Sequence, residues 1–312
     1  MGKYLIKRML GIVFGLITVI TITFVLLHAM PGGPFSREKA LPEPIQAAIE
    51  EKYHLNDSIV VQYFCYMKDF LKLKLGPSYR KIGFSVNELI HSGFPNSAKV
   101  GMVTLLYIVL IGFPLGVLSS FKHNRWQDRL IMAVTTLGIT IPSFILGILI
   151  IYIFGSRLHW IPTHDLKTWK HYIGPVITIG SFSLAYVSRL IRSNMLEILQ
   201  EDYIKAARAR GLTEYRILFK HAFTNTLIPT MAYLTPTIAT ILTGSFIAEN
   251  IFSIPGMGSM FVESVGNRDY TVVIGATAIY ALILFLMLFI ADLVYSLIDP
   301  RIKLQNELRG EG

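Results

Sequence analysis

The chain is predicted to be an all-α integral membrane protein with six transmembrane helices, and two observations carry that reading. Its 312 residues are 53% apolar and 16% charged, and the apolar residues gather in long blocks instead of alternating with charge. Six of those blocks, residues 11–30, 100–121, 130–154, 173–191, 228–248 and 272–298, approach the roughly 20 residues that a helix needs to cross a hydrocarbon core about 30 Å thick.

The first block follows Lys3, Lys7 and Arg8, as a secretory signal would. It is long for the apolar region of a signal, and His28-Ala29-Met30 lacks the small-x-small ending of a cleavage site, so an uncleaved first span is expected. Met30-Pro31-Gly32-Gly33-Pro34 ends that span, because proline cannot continue a helix and glycine relaxes the turn. Residues 31–96 then lie outside the membrane and are too many for a structureless loop. They read as three short helices. The first is amphipathic over 43–53, and the second covers 58–74 with Val61, Tyr63, Phe64, Met67, Phe70 and Leu71. The third opens on the capping box Ser85-Val86-Asn87-Glu88 and stops at Gly93 and Pro95. Together they form a small external cap over the first span, which either packs on a neighbouring subunit or meets an external delivery protein.

Within the later blocks, Gly112 and Gly116, like Gly11 and Gly15 in the first, lie one turn apart and permit close helix approach. Pro114, Pro142 and Pro236 are expected to kink their spans by removing backbone donors. The fourth block is diluted by Ser181, Ser183, Ser188 and Arg189; topology requires it.

Orientation follows from Lys and Arg in short connections. With the N-terminus inside, the cytoplasmic segments collect Lys3, Lys7, Arg8, Lys122, Arg125, Arg129, Arg189, Arg192, the basic residues from Lys205 to Lys220, and Arg301, Lys303 and Arg309. The short outer loops hold Arg157, Lys167, Lys170 and Arg268. Both termini are therefore expected in the cytoplasm. The net charge of +9 is accounted for by this orientation and by anionic lipid headgroups, so no nucleic-acid partner is expected. The single Cys65 cannot form an internal disulfide, and the eight histidines are scattered, with His159 and His164 the nearest pair; no metal site is expected.

Ionisable groups inside spans are costly. Asp292 lies six residues before the end of the last block, and an ion pair with Arg189 or Arg192 is the favoured explanation. Glu249, at the outer end of the fifth, is expected to reach the interface. Neither reads as a proton relay.

The cytoplasmic segment 192–227 is the most informative. Glu201 and Asp202 favour a helix N-terminus, Lys205, Arg208 and Arg210 its C-terminus, and Gly211 a stop. Tyr203, Ala207 and Gly211 recur every four residues, so one face bears two small residues that would admit another protein. Thr213 caps the next helix. In span five, Thr237, Thr240, Thr243 and Ser245 either line a pathway or bond between helices. Pro255, Gly256 and Gly258 form either a portion of an outer gate or a connecting turn.

At Lys205-Ala206-Ala207-Arg208-Ala209-Arg210-Gly211 the chain resembles the membrane subunits of bacterial ABC importers, whose signature is Glu-Ala-Ala, three residues, then Gly. Ala206, Ala207 and Gly211 match. Lys205 replaces the acid, His221 an apolar residue, and Pro229 falls outside the usual place, departures shared by the oligopeptide, dipeptide and nickel branch. Supporting fragments are PGGPF at 31–35, IPSF at 141–144, RLIRSNMLE at 189–197, IFSIPGMG at 251–258, NRDY at 267–270 and DPR at 299–301. Gly33 makes PGGPF most like the oligopeptide permeases.

The resemblance implies a type I ABC importer transmembrane domain with an external insertion after helix 1. Its parts would be a first span over 1–30, the insertion over 31–96 and a five-helix core over 97–312. It further implies import of oligopeptides by alternating access in a bacterial inner or plasma membrane. The implied partners are a homologous second permease, two cytoplasmic ATPase subunits and an external peptide-binding protein. Tyr203, Ala206, Ala207, Arg208 and Gly211 would couple to the ATPases, whose closure around ATP must change the contacts at this joint. The chain has no phosphate-binding Gly-x-x-x-x-Gly-Lys-Ser/Thr, so it is expected to be no enzyme and to bind no cofactor, ATP and Mg being used by partner subunits. Dipeptide, glutathione or nickel cargo is the alternative within the class, and an ATP-independent carrier or channel the alternative outside it.

Overall fold

A computed structural model describes residues 2–31 and 57–298, with side chains placed for 6–31, 57–219, 222–290 and 293. The helix expected over 43–53, Gly33 of the PGGPF fragment and the DPR fragment lie outside the described residues, as does the side chain of Asp292.

The described chain is helical. Helix α1 (Gly2–Ala29) is followed by α2 (Ile59–Phe70), and α3 runs from Val86 to Phe121. Then come α4 (Trp126–Thr140), α5 (Ser143–Arg157), α6 (Lys170–Ile198) and α7 (Asp202–Ala209). Helix α8 joins Glu214–Arg216 to Thr224–Leu242 through a wider π-type turn, Ile217–Phe223. The last three are α9 (Phe246–Ile251), α10 (Met257–Asn267) and α11 (Tyr270–Ile298).

Among the described residues, five helices are long and apolar enough to span a membrane, and a sixth span exists if α4 and α5 count as one. That pair is where a kink was expected, but the chain bends by 104° at Ile141-Pro142. Two effects combine there: Pro142 has no N–H to continue α4, and it forces Ile141 into extended backbone (ψ 120°).

The serine-diluted fourth block is the centre of the bundle. In α6, 56% of the apolar window is buried, against 17–33% in the other spans, and it packs on α3, α4, α5 and α8. Its polar residues face protein: Ser188 donates to its own Leu184 carbonyl at 2.8 Å and to Gly112 O of α3 at 3.0 Å. Low hydropathy here reflects shielding from lipid, since a buried hydroxyl needs a protein acceptor more than an apolar neighbour. The glycine pair beside it serves this contact, because a Cβ on Gly116 would lie 2.7 Å from Ser188 O. Gly15 likewise lies under Phe285 of α11, while a Cβ on Gly11 would meet open space.

The capping box is complete: Glu88 N donates to Ser85 Oγ at 3.2 Å and Ser85 N to Glu88 Oε2 at 2.8 Å. The stop expected at Gly93 and Pro95 is not taken. Helix α3 continues through both, so the third external helix and the second span are one rod. Gly93 instead admits the start of α10, whose Met257 N would lie 3.2 Å from its Cβ. The loop 71–85 is anchored to the α10–α11 turn by Asp269, which is 2% exposed and accepts from Ser78 Oγ and from Tyr79 N at 3.1 Å. Tyr63, Met67 and Phe70 of α2 pack against the cluster that contains Ile20, Phe24 and Leu27 of α1.

Candidate coupling and pathway sites

Helix α7 opens at Glu201 in extended backbone (ψ 148°) and has Asp202 in its first turn. Lys205 Nζ bonds Asp202 at 2.8 Å and holds that carboxyl below its ordinary pKa. The end of α7 is a Schellman motif. Gly211, at φ +78°, donates its N–H to Arg208 O at 2.9 Å, and Leu212 N reaches back to Ala207 O at 3.3 Å. Thr213 Oγ1 then accepts from Arg216 N at 3.4 Å to start α8. Helix, turn and helix fall where the sequence placed them.

The faces do not. Ile204 (0% exposed) and Ala207 (9%) pack against Ile217 (0%), with Ile198, Leu199 and Leu212 around them, so Ala207 belongs to the loop's own core. A helix this short needs such a seat, because few of its carbonyls find partners within it. The exposed face carries Tyr203, Ala206 and Arg210 at spacings of three and four. Gly211 is exposed, and a Cβ there would meet nothing within 4 Å. Its glycine is demanded by the left-handed backbone, whereas its spacing alone had suggested room for a partner. Arg208 bridges the turn to Glu214 at 2.8 Å, and Tyr203 Oη accepts from Asn225 Nδ2 at 3.0 Å. Both tie α7 to α8.

Just before α7, Arg192 makes an ion pair with Asp128 of α4, a partner not expected from the sequence. Arg192 Nε and Nη2 donate to the two carboxylate oxygens, each at 2.8 Å. Asn124 N, at 2.8 Å, and Ser119 Oγ also donate to Asp128, and His123 Nδ1 lies 3.5 Å from its Oδ2. Arg189 bonds Thr135 and Thr136 of the same helix. Asp128 gave no signal in the sequence because it stands between Arg125 and Arg129 at the start of a helix, where a solvated acid is the ordinary reading. A cavity of about 460 Å³ lies between the end of α3 and the π-type turn of α8; Phe113, Phe121, Tyr215 and Phe219 are among its walls.

Of the residues considered for a pathway or gate, Thr240, Thr243 and Gly258 come together. With Gly244, Met257 and Tyr280 they line a separate cavity of about 400 Å³. Thr237, Thr240 and Thr243 each donate to carbonyls of their own helix, at 2.8, 2.8 and 2.9 Å, so the bonds between helices considered for them are not what occupies them. Ser245 caps α9 by accepting from Ala248 N at 3.4 Å. Pro255 is exposed, and its carbonyl accepts from Asn96 Nδ2 at 2.9 Å.

Gly256 passes over the side chain of Glu249, and here a further expectation fails. Glu249 is 2% exposed and reaches no interface. Its Oε1 accepts from Ser97 Oγ at 2.6 Å and its Oε2 from Ser259 N at 2.7 Å. A Cβ on Gly256 would lie 2.3 Å from its carboxyl carbon, and one on Gly244 2.1 Å from Oε1. The signal in the sequence was the glycine content around it, Gly244, Gly256 and Gly258.

Comparison with known proteins agrees with this architecture. Residues 112–304 match the family described as binding-protein-dependent transport system inner membrane component. Residues 1–111 match the corresponding N-terminal family. The chain is 41% identical over 307 residues to the dipeptide transport system permease protein DppB of Bacillus subtilis, covering 98% of this chain and 100% of that one. It is 37% identical over 305 residues to the oligopeptide transport system permease protein OppB of Escherichia coli, covering 97% and 100%. Among solved structures, a chain of the MetNI methionine ABC transporter in an inward-facing conformation superimposes with a TM-score of 0.54 at 18% identity, over 68% of this chain and 96% of that one, a likeness of fold. By its span pattern, its helix–turn–helix at 202–216 and these matches over nearly its whole length, the chain belongs to the family of binding-protein-dependent transport system inner membrane components.

Proposed function

We propose that the chain is one of two permease subunits of an ABC importer that carries peptides into a bacterial cell by alternating access. The observation that supports this most directly is α7, a separately packed helix held on the end of α6 by its own small core and tied to α8 through Tyr203 and Arg208. A push on its exposed face is delivered to two spans at once. Arg192 extends the same connection to α4. The partners of this reading are a homologous permease, two cytoplasmic ATPases that use ATP and Mg, and an external peptide-binding protein. Both termini lie in the cytoplasm, 31–96 is the external insertion, and 97–312 is the core. The cavity at Thr240, Thr243 and Gly258 belongs to the route, and Tyr203, Ala206 and Arg210 form the docking face.

Uptake of a labelled peptide by cells deleted for this gene, with and without the gene restored, tests the reading, together with co-purification of ATPase subunits. Uptake by the chain alone in liposomes under an ion gradient would instead identify a carrier. Cargo length has two readings: the PGGPF fragment resembles oligopeptide permeases, whereas the B. subtilis relative at 41% identity is named for dipeptides. Competition by dipeptide, longer peptide, glutathione and nickel separates them.

A further inference from the structure

Helix α10 begins at a residue that cannot cap it. Its N-cap, Gly256, has no side chain, and the first N–H groups of a helix have no partner inside it. Two other helices supply the missing acceptors. Met257 N donates to Ser97 Oγ of α3 at 2.8 Å, and Ser259 N donates to Glu249 Oε2 of α9 at 2.7 Å. The two acceptors are joined, since Ser97 Oγ donates to Glu249 Oε1 at 2.6 Å. No salt bridge to Glu249 occurs among the described residues, so its carboxyl is held by hydroxyl and amide donors and by the positive end of α10. The segment held in this way is a wall of the cavity, which Gly244, Met257 and Gly258 line.

We propose that Glu249 is a positioning residue for transport: as a cap lent to α10 by another helix, bolted to α3 through Ser97, it keeps the 257–258 wall closed over the Thr240–Thr243 cavity. The inference rests on the reading that this cavity belongs to the peptide route and that the wall faces outward.

The test reads wall position without using peptide. In the full complex in cells, Cys65 is changed to Ser and Ala276, a buried cavity residue, to Cys. A membrane-impermeant maleimide is then added outside. Labelling of the parent is expected to be slow. Glu249→Ala is expected to speed it by about tenfold or more, the factor that losing one hydrogen bond to a charged group corresponds to. Glu249→Gln, which keeps an acceptor for Ser259 N, is expected to fall between. Equal membrane amounts of Glu249→Ala and parent, labelled within about twofold of each other, would overturn the proposal. So would acceleration seen only in inside-out vesicles, because the wall would then face the cytoplasm. Should Glu249→Ala not accumulate, Ser97→Ala decides in the same way, and Glu249→Gln after it. Absence of peptide uptake by the parent complex would sink the importer reading, whereas labelling that Glu249→Ala leaves unchanged would sink this proposal, so the two failures are told apart.

Discussion

The turn at Gly211 separates two physical roles that the sequence leaves merged. If glycine is there to let a partner approach, alanine is the mildest replacement and asparagine a worse one. If it is there for its backbone, the order reverses. The structure favours the second, with the backbone held at φ +78°. A non-glycine residue in left-handed helical backbone costs roughly 1–2 kcal/mol, a factor of about 5–30 in the population of the formed turn. Asparagine visits that region more readily, and a β-branched valine is a severe outlier there. Uptake of labelled peptide by cells carrying each variant, normalised to the amount in the membrane, is therefore expected to follow Gly, Asn, Ala, Val in descending order. Co-purified ATPase should follow the same order, because the Schellman bonds from Gly211 and Leu212 to α7 set the angle at which its exposed face is presented. Alanine outperforming asparagine at equal membrane levels would refute the argument and restore the small-face reading.

Asp128→Ala should destabilise the purified complex strongly, since removing one partner of a buried pair costs about 3–5 kcal/mol. With the Arg192 side chain 21% exposed, the lower end is expected, and thermal unfolding of Asp128→Ala, Arg192→Ala and the double variant should show non-additivity. Gly101→Ala should lower the same melting temperature, because its Cβ would lie 2.6 Å from Ile241 O of α8 and push α3 and α8 apart. Gly11→Ala, which meets nothing, should leave it unchanged. Glu214→Ala breaks only an exposed bridge to Arg208, worth about 0–1 kcal/mol, and should reduce uptake slightly, by less than Gly211→Val does.

Local chemistry determined much of this protein in advance. A membrane span is a matter of length and apolarity, a capping box and a glycine stop are settled within five residues, and so the spans, Ser85 with Glu88, and the end of α7 at Gly211 could all be read directly. Family resemblance drew attention to the helix–turn–helix at 202–216 for the same reason, as its motif is contiguous. What the sequence could not convey was which polar groups meet across the bundle. Arg192 found Asp128, 64 residues away along the chain. Glu249, apparently bound for the interface, was drawn under a glycine loop to cap a helix that could not cap itself. Ala207 turned inward because Ile204 and Ile217 needed cover, and Pro95 failed to stop α3 because α10 packs against that stretch at Gly93. Those outcomes belong to tertiary structure, because a buried donor or charge must be matched by whatever the fold brings within about 3 Å, and that neighbour is chosen by three-dimensional packing.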